Sequence, residues 1–228
     1  MSMKTTLVKV QNIPLFITES EKSIQINDVI PENIVAIWEY LKADYAGYEV
    51  FFSFNSERMG SNQEIPLEFL AEINAILVDD TLNFRLNVED FKPESGNELE
   101  ISPLTEAGFA EFAQLHDYCN PDFFWTSKRL RDCLDIWQIH TLKSCEQLTG
   151  YVMTMLTKKN FAEIFTIESH NELEFKALLS TACKTAFTGG KAEILYMIEK
   201  ATLTNHQQAA IDLGFKKTGF YKGFRAVS

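Results

Sequence analysis

The C-terminal segment from Ile194 onward constrains the fold more than any other part of the chain. Ile194 to Ile198 is an apolar run typical of a buried strand. Ala209 to Leu213 predicts a short helix that Gly214-Phe215 closes. Gly219-Phe220-Tyr221 then predicts a final aromatic strand. Few folds end in a strand, a short helix and an aromatic strand in this order.

Composition supports a folded protein outside the membrane. The chain has 228 residues, of which 46% are hydrophobic and 12% aromatic, enough for one large or two small cores. No apolar run approaches the roughly 20 residues that span a bilayer. The first residues also lack the apolar core of a signal peptide. We therefore predict a cytoplasmic protein that is not bound to a membrane.

The formal charge of -11, from 32 acidic and 21 basic residues, argues against a nucleic-acid partner because it repels polyanions. The local basic cluster Lys128, Arg129 and Arg131 fits either a small-anion site or a solvated helix face. The cysteines and histidines show no spacing typical of a metal site or a disulfide framework, so no metal is expected. These residues are Cys119, Cys133, Cys145, Cys183, His116, His140, His170 and His206.

A polar segment with Pro and Gly, Lys92 to Glu98, predicts a junction between domains at 1–95 and 96–228. The first half predicts a smaller α/β domain. Its predicted elements are a strand (Thr6 to Ile17), a helix (Glu32 to Tyr45), a strand (Tyr48 to Asn55), a helix (Leu67 to Val78) and a strand (Thr81 to Val88).

The second half opens with a short strand and two helices and continues with three strands and a long helix. The predicted segments are Leu99 to Ile101, a helix with Phe109, Phe112 and Leu115 on one face, Ser127 to Leu134, Trp137 to Leu142, Leu148 to Leu156, Ala162 to Ile167, and a helix with Phe175, Leu178, Leu179, Ala182 and Ala186 on one side. Gly189-Gly190 is expected to end that helix.

This order resembles that of the GNAT superfamily of N-acetyltransferases over roughly Glu98 to Ser228. The matching features are Gly150-Tyr151 at a strand entrance, the strand-helix-strand at Ala162 to Ile198, and Leu213-Gly214-Phe215. The resemblance implies an α/β (α+β) fold with a mixed, mostly antiparallel sheet flanked by helices. It also implies transfer of an acyl group from acetyl-CoA or a related acyl-CoA to an amine of a small molecule or peptide.

In this family the acyl-CoA thioester lies between two strands that splay apart, where freed backbone groups pair with the pantetheine. The matching strands are Ala162 to Ile167 and Ala192 to Ile198. The pyrophosphate lies at the N-terminus of the next helix, after the turn Glu168 to Glu172. The resemblance thus implies cofactor-binding roles for Phe165, Thr166, Ile167, His170, Leu173, Glu174, Phe175 and Asn205.

The phosphate loop departs from the family pattern of Arg or Gln, two residues, Gly, one residue, and Gly or Ala. His170, Leu173 and Phe175 stand at those three positions, so both glycines are absent. Two interpretations of Phe175 are open. Its ring either crowds a pyrophosphate or fills core space beside an ordinary helix cap.

The catalytic candidates also come from the resemblance. Glu163 and Glu168, on or just after the strand that faces the cofactor, are candidate general bases. The tyrosine that donates a proton in many relatives is replaced by Ala210. Tyr196 and Tyr221 are the remaining tyrosines of the region that could substitute for it.

Two further regions leave alternatives open. The aromatic loop Tyr118 to Trp125 either shapes the acceptor pocket or covers the domain junction, and both interpretations place its rings inside. Residues Met1 to Phe91 are either an eroded copy of the same fold, with Gly47-Tyr48 matching Gly150-Tyr151, or an unrelated α/β cap. The alternative to an enzyme is a catalytically silent ligand-binding or protein-interaction module, and a homo-oligomer is compatible with either.

Overall fold

The computed structural model describes residues 5–60, 64–94, 99–121, 125–156, 159–199 and 204–228. The chain forms two compact units: Met1–Asn83, Glu199–Ala201 and Thr218–Ser228 in the first, and Phe84–Ile198 and Thr202–Lys217 in the second. Residues 95–98 of the predicted junction lie outside the described residues, so the division at residue 95 stays a prediction. No described helix has both the length and the apolar composition needed to cross a bilayer.

The first unit has a mixed sheet in the order β1-β2-β3-β4-β11-β5. Its elements are β1 (Thr5–Val10), β2 (Ile13–Thr18), β3 (Ser23–Ile26), α1 (Ile34–Asp44), β4 (Glu49–Asn55), α2 (Ser56–Met59), α3 (Leu67–Glu72), residues 76–83 of β5 (Ile76–Asn87) and residues 218–227 of β11 (Lys216–Val227). β3 and β4 are parallel, while β1–β2, β2–β3 and β4–β11 are antiparallel.

The predicted helix at 32–45 is confirmed. The four apolar residues on its inner face are buried, and Trp38 packs edge-on against Phe52 of β4, with ring centroids 6.3 Å apart. Burial of one aliphatic or aromatic side chain contributes about 1.5–3 kcal/mol, so this face holds the helix on the sheet. The buried residues of the face are Ile34, Ile37, Trp38 and Leu41.

Two predictions for this unit were wrong in part, and one strand was not predicted. The strand at 6–17 is a hairpin, because Gln11 and Asn12 both adopt positive φ in a tight turn. The helix at 67–78 ends at Glu72; Asn74 takes a left-handed conformation and the following residues extend into β5. The short strand β3 was not foreseen.

The second unit has the strand order β5-β10-β9-β8-β7-β6. Its elements are residues 84–87 of β5, β6 (Glu100–Pro103), α4 (Phe109–Cys119), α5 (Ser127–Arg131), β7 (Trp137–Ser144), β8 (Gln147–Leu156), β9 (Phe161–Glu168), α6 (Glu172–Thr188), β10 (Glu193–Glu199), α7 (Thr204–Asp212) and residues 216–217 of β11. The pairs from β6 to β9 are antiparallel and β9–β10 is parallel. The predicted element order is confirmed.

The sheet of this unit packs against α6 and against a second group of helices, α4 and α5. The predicted face of α6 is buried along its whole length, from Phe175 to Ala186. The other cluster gathers α4, α5, β7 and β8, with Trp125 packed edge-on against Trp137 at 5.2 Å. Trp125 is therefore partly buried as expected, but Tyr118 is 85% exposed, so its predicted burial was wrong. Phe123 and Phe124 lie outside the described residues.

Candidate functional site

Strands β9 and β10 pair over only the first half of their length. Their parallel register runs from Glu193 opposite Phe161 to Tyr196 opposite Ile164. β9 then continues to Glu168 and stays paired with β8, whereas β10 continues without a partner on β9. The ladder between the two strands therefore ends at Ile164 and Tyr196, and the strands separate to leave an opening along this edge of β9. An extended ligand can hydrogen-bond to such an edge.

β9 also carries a bulge where the strands begin to separate. Met153 of β8 lies opposite Thr166 and the next residue, Thr154, lies opposite Ile164, so Phe165 is the extra residue. The Phe165 ring packs edge-on against Trp137 at 5.2 Å. A bulge interrupts the regular hydrogen-bond ladder and turns the strand locally, here at the point where the opening begins.

A buried polar network lies at the end of β9. His116 Nε2 is 2.6 Å from the carbonyl oxygen of Trp125, which only accepts, so Nε2 carries the proton. The Tyr151 hydroxyl donates to His116 Nδ1 over 2.8 Å and accepts from Asn120 Nδ2 at 2.9 Å. Asn120 Nδ2 also lies 3.3 Å from Glu168 Oε1. The chain of bonds therefore connects α4, β8 and the carboxylate of Glu168.

Burial and charge keep the Tyr151 hydroxyl of this network protonated. His116 and Tyr151 are fully buried. Burial raises the pKa of the Tyr151 hydroxyl, and the nearby charge of Glu168 raises it further. Tyr151 is therefore a neutral donor at physiological pH. Glu168 is partly exposed, and its Oε1 also accepts from the Thr166 hydroxyl at 3.4 Å. A carboxylate held in this way can accept a proton from a bound amine.

The N-terminus of α6 is capped by its own side chains. Asn171 Oδ1 accepts from the Glu174 amide at 3.0 Å, and the Glu174 carboxylate accepts from the His170 amide at 2.9 Å. The Phe175 amide donates to the Asn171 carbonyl. Leu173 is 58% exposed, and its amide precedes the first bond within the helix. The amides of Glu174 and Phe175 are thus already used by the cap.

The Phe175 ring belongs to the core. It is fully buried and stacks on the His206 ring, with centroids 3.6 Å apart and planes 8° from parallel. The Tyr196 ring lies nearby, with its centroid 6.5 Å from that of the Phe175 ring. Of the two interpretations of Phe175, the structure therefore favours core packing. The first turn of α6 carries carboxylates and no glycine, so the residues present do not fit the family's phosphate cradle.

The other predicted site residues are spread over the fold. Glu163 lies in the closed half of β9, opposite Met155 and Leu195. Tyr196 is buried at the last paired position, and burial chiefly raises its pKa. Ile167 lies opposite Val152. Asn205 is exposed near the start of α7, and Ala210 is fully buried in the same helix. Tyr221 belongs to the first unit.

Sequence reasoning missed His116 and Asn120 and did not recognise Tyr151 as a polar group of the site. His116 and Asn120 are one helical turn apart, yet 35 residues separate His116 from Tyr151. The one available signal was Gly150-Tyr151. Within the described ranges, no group of three or more His, Cys, Asp or Glu side chains lies close enough to hold a metal ion.

Comparisons with known proteins agree with the fold and reveal no close relative. No family model and no curated protein matches the sequence. Solved structures match over nearly the whole chain. A conserved protein of unknown function from Staphylococcus epidermidis is 11% identical with a TM-score of 0.65, covering 100% of this chain and 96% of its own.

Two further matches are named acetyltransferases or GNAT proteins. A GCN5-related N-acetyltransferase from Kribbella flavida is 9% identical with a TM-score of 0.61, covering 98% of this chain and 90% of its own. A tandem GNAT protein from the clavulanic acid biosynthesis pathway is 12% identical with a TM-score of 0.59, covering 98% and 83%. At such identities the likeness shows the fold alone. The chain has a GNAT-like fold, and the predicted fold class is confirmed.

Proposed function

We propose that this chain with a GNAT-like fold is an N-acyltransferase that moves an acyl group from acetyl-CoA or a related acyl-CoA to an amine of a small molecule or peptide. The observation that carries the proposal is the opening between β9 and β10, which begins at Ile164 and Tyr196 and ends beside Glu168. An acyl donor in this opening would lie next to a carboxylate able to act as a base.

The donor is held mainly by its pantetheine portion. Beyond Ile164, where the β9–β10 ladder ends, the edge of β9 with Phe165, Thr166 and Ile167 lies along the opening and is the proposed contact for the two pantetheine amides. At the start of α6, the amide of Leu173 remains for the phosphates, while Glu174 places a negative charge there. We therefore expect the phosphates to contribute less to binding than they do at a glycine-rich loop.

Glu168 is the proposed general base. An amine of pKa about 10.4 costs roughly 4–5 kcal/mol to deprotonate at pH 7. Glu168 accepts the ammonium proton, and the freed nitrogen lone pair attacks the thioester carbon. The carbonyl oxygen becomes an oxyanion, for which a backbone amide at the Phe165 bulge is the candidate donor. When the C–S bond breaks, the extra proton of the attacking nitrogen passes to the departing thiolate, directly or through solvent, and the products are an amide and free CoA.

The acceptor is proposed to be neutral or basic. The chain carries a formal charge of -11, and the base itself is a carboxylate, so a cationic amine is attracted to the site.

All four cysteines are free, as is usual in reducing compartments, which supports the proposed cytoplasmic location.

An activity assay tests this function. The full chain is incubated with acetyl-CoA and a panel of polyamines, amino acids and lysine-containing peptides, and free CoA is quantified by chromatography. We expect amine-dependent CoA release that falls about 10²–10⁴-fold in Glu168→Gln with KM for acetyl-CoA unchanged. Glu163→Gln, in the closed half of β9, is the matched control and should keep its activity. Equal rates for the wild type and Glu168→Gln would remove Glu168 from the mechanism.

The second candidate is a catalytically silent binding module. Three features favour a binding module without catalysis: the Phe175 ring packed at the start of α6, the negative charge of Glu174, and the alanine at position 210. This alternative expects acetyl-CoA or CoA binding with no amine-dependent release. If acetyl-CoA binds and any amine of the panel causes CoA release, the silent module is excluded.

A further inference from the structure

A cavity of about 490 Å³ lies wholly within the first unit and takes no part in the proposed acyl transfer. Cavities that hold small organic ligands are typically about 300–1,000 Å³ and mostly apolar. Its walls come from β4, α3, β5 and β11. The lining residues are Phe54, Glu64, Ile65, Leu67, Leu70, Ala71, Asn74, Ala75, Leu77, Lys222 and Phe224.

Apolar side chains at this cavity remain in contact with solvent. Leu67 is 74% exposed and Leu77 is 49% exposed, although both line it. Leaving large aliphatic groups in water forfeits the free energy that their burial would supply, about 25 cal/mol per Å². An apolar ligand would cover these side chains and recover that free energy.

Lys222 and Glu64 are the charged members of the lining. Their side chains form an ion pair in which Lys222 is 17% exposed and Glu64 is 47% exposed. The Lys222 ammonium also lies 5.7 Å from the Phe220 ring centroid. The cation is therefore mostly covered by the wall, whereas about half of its carboxylate partner is in contact with solvent.

We propose that this cavity binds a monocarboxylate with an unbranched apolar chain, a medium-chain fatty acid. The chain lies on the aliphatic walls and covers Leu67 and Leu77. The ligand carboxylate replaces that of Glu64 on Lys222, where partial burial strengthens a charge-assisted hydrogen bond. Positive charge in the wall and an exchangeable carboxylate partner select an acid over a neutral chain of equal length.

Calorimetric titration of the full chain with decanoate and decan-1-ol, both below their aggregation concentrations, tests the proposal. We expect decanoate to bind more tightly than decan-1-ol. Lys222→Met should weaken decanoate binding about tenfold or more, which corresponds to the loss of a hydrogen bond to a charged group. The affinity for decan-1-ol should not change. Lys217→Met, which removes an exposed lysine outside the lining, is the matched control and should bind like the wild type.

Two more variants keep the test decisive if Lys222→Met folds poorly. Glu64→Gln removes the competing carboxylate and should tighten decanoate binding. Ala71→Trp, at an exposed lining position, should fill the cavity and abolish binding of both compounds. The proposal is overturned if neither compound binds the wild type or if Glu64→Gln does not tighten decanoate binding. It is also overturned if sedimentation shows a dimer that Ala71→Trp dissociates, since a second copy would then occupy the cavity.

Discussion

Gly150 of β8 lies directly against the backbone carbonyl of Glu168 on β9: a Cβ placed on Gly150 would be 2.6 Å from that oxygen. No side chain fits there unless the two strands move apart. Since Tyr151 is paired opposite Glu168, such a movement would also displace the polar network.

Gly150→Ala is therefore expected to lower stability and activity together. Overpacking of this kind costs about 1–3 kcal/mol of unfolding free energy, measured by urea denaturation, and the amine-dependent rate should fall with it. Gly108→Ala is the control, because its added Cβ meets atoms at an ordinary 3.6 Å. Wild-type stability in Gly150→Ala would show that the strands are not held so closely.

Tyr151→Phe tests the buried network. The change removes the hydroxyl that donates to His116 Nδ1, while Asn120 Nδ2 keeps its contacts with Glu168 Oε1 and the His116 carbonyl oxygen. Removing one partner of a buried hydrogen bond costs about 1–3 kcal/mol, so the unfolding free energy from urea denaturation should fall by that amount with an unchanged m-value. Tyr118→Phe, at a ring that is 85% exposed, should change stability by less than about 0.5 kcal/mol. Equal effects of the two substitutions would contradict the network.

Phe175→Ala separates core packing from obstruction of the phosphate position. A fully buried ring stacked on His206 should cost about 3–5 kcal/mol when truncated. Leu173→Ala, two residues earlier and 58% exposed, should cost far less. If Phe175→Ala instead keeps wild-type stability and gains affinity for acetyl-CoA, the ring obstructs the ligand and is not part of the core.

Glu174→Gln removes a charge from the start of α6 without removing the cap, because the amide oxygen of Gln can still accept from the His170 amide. A charge near a helix terminus is worth about 0.3–1 kcal/mol. We therefore expect acetyl-CoA to bind about two- to fivefold more tightly, and the gain should shrink in high salt. Glu72→Gln, on α3, is the control for the change in net charge. An unchanged Kd would mean that the phosphates do not approach α6.

The sequence predicted the fold well where the pattern was local. The apolar face of α6 and the successive strands predicted at Trp137 to Leu142 and Leu148 to Leu156 were confirmed because helical spacing and strand patterns act within a few positions. The helix at 67–78 was overextended because Leu77 continues the helical spacing, while the left-handed Asn74 that ends it leaves no comparable pattern.

The site was harder to predict because its parts are distant in sequence. Glu168 was among the candidates, but Asn120, which donates to its carboxylate, comes from the end of α4, and only tertiary packing brings the two together. The missing glycines were visible in the sequence. That the Phe175 ring turns into the core, and that Asn171 and Glu174 cap the helix, required the structure.

The most direct test of the central claim is calorimetric titration of the full chain with acetyl-CoA, S-acetyl-pantetheine and 3′,5′-ADP. If the opening between β9 and β10 holds the donor, acetyl-CoA should bind, and S-acetyl-pantetheine should retain most of its affinity while 3′,5′-ADP binds weakly. Thermal unfolding provides a second readout, since acetyl-CoA at about 100 times its Kd should add about 2.7 kcal/mol of stability. No binding and no stabilisation by acetyl-CoA or S-acetyl-pantetheine would contradict the claim.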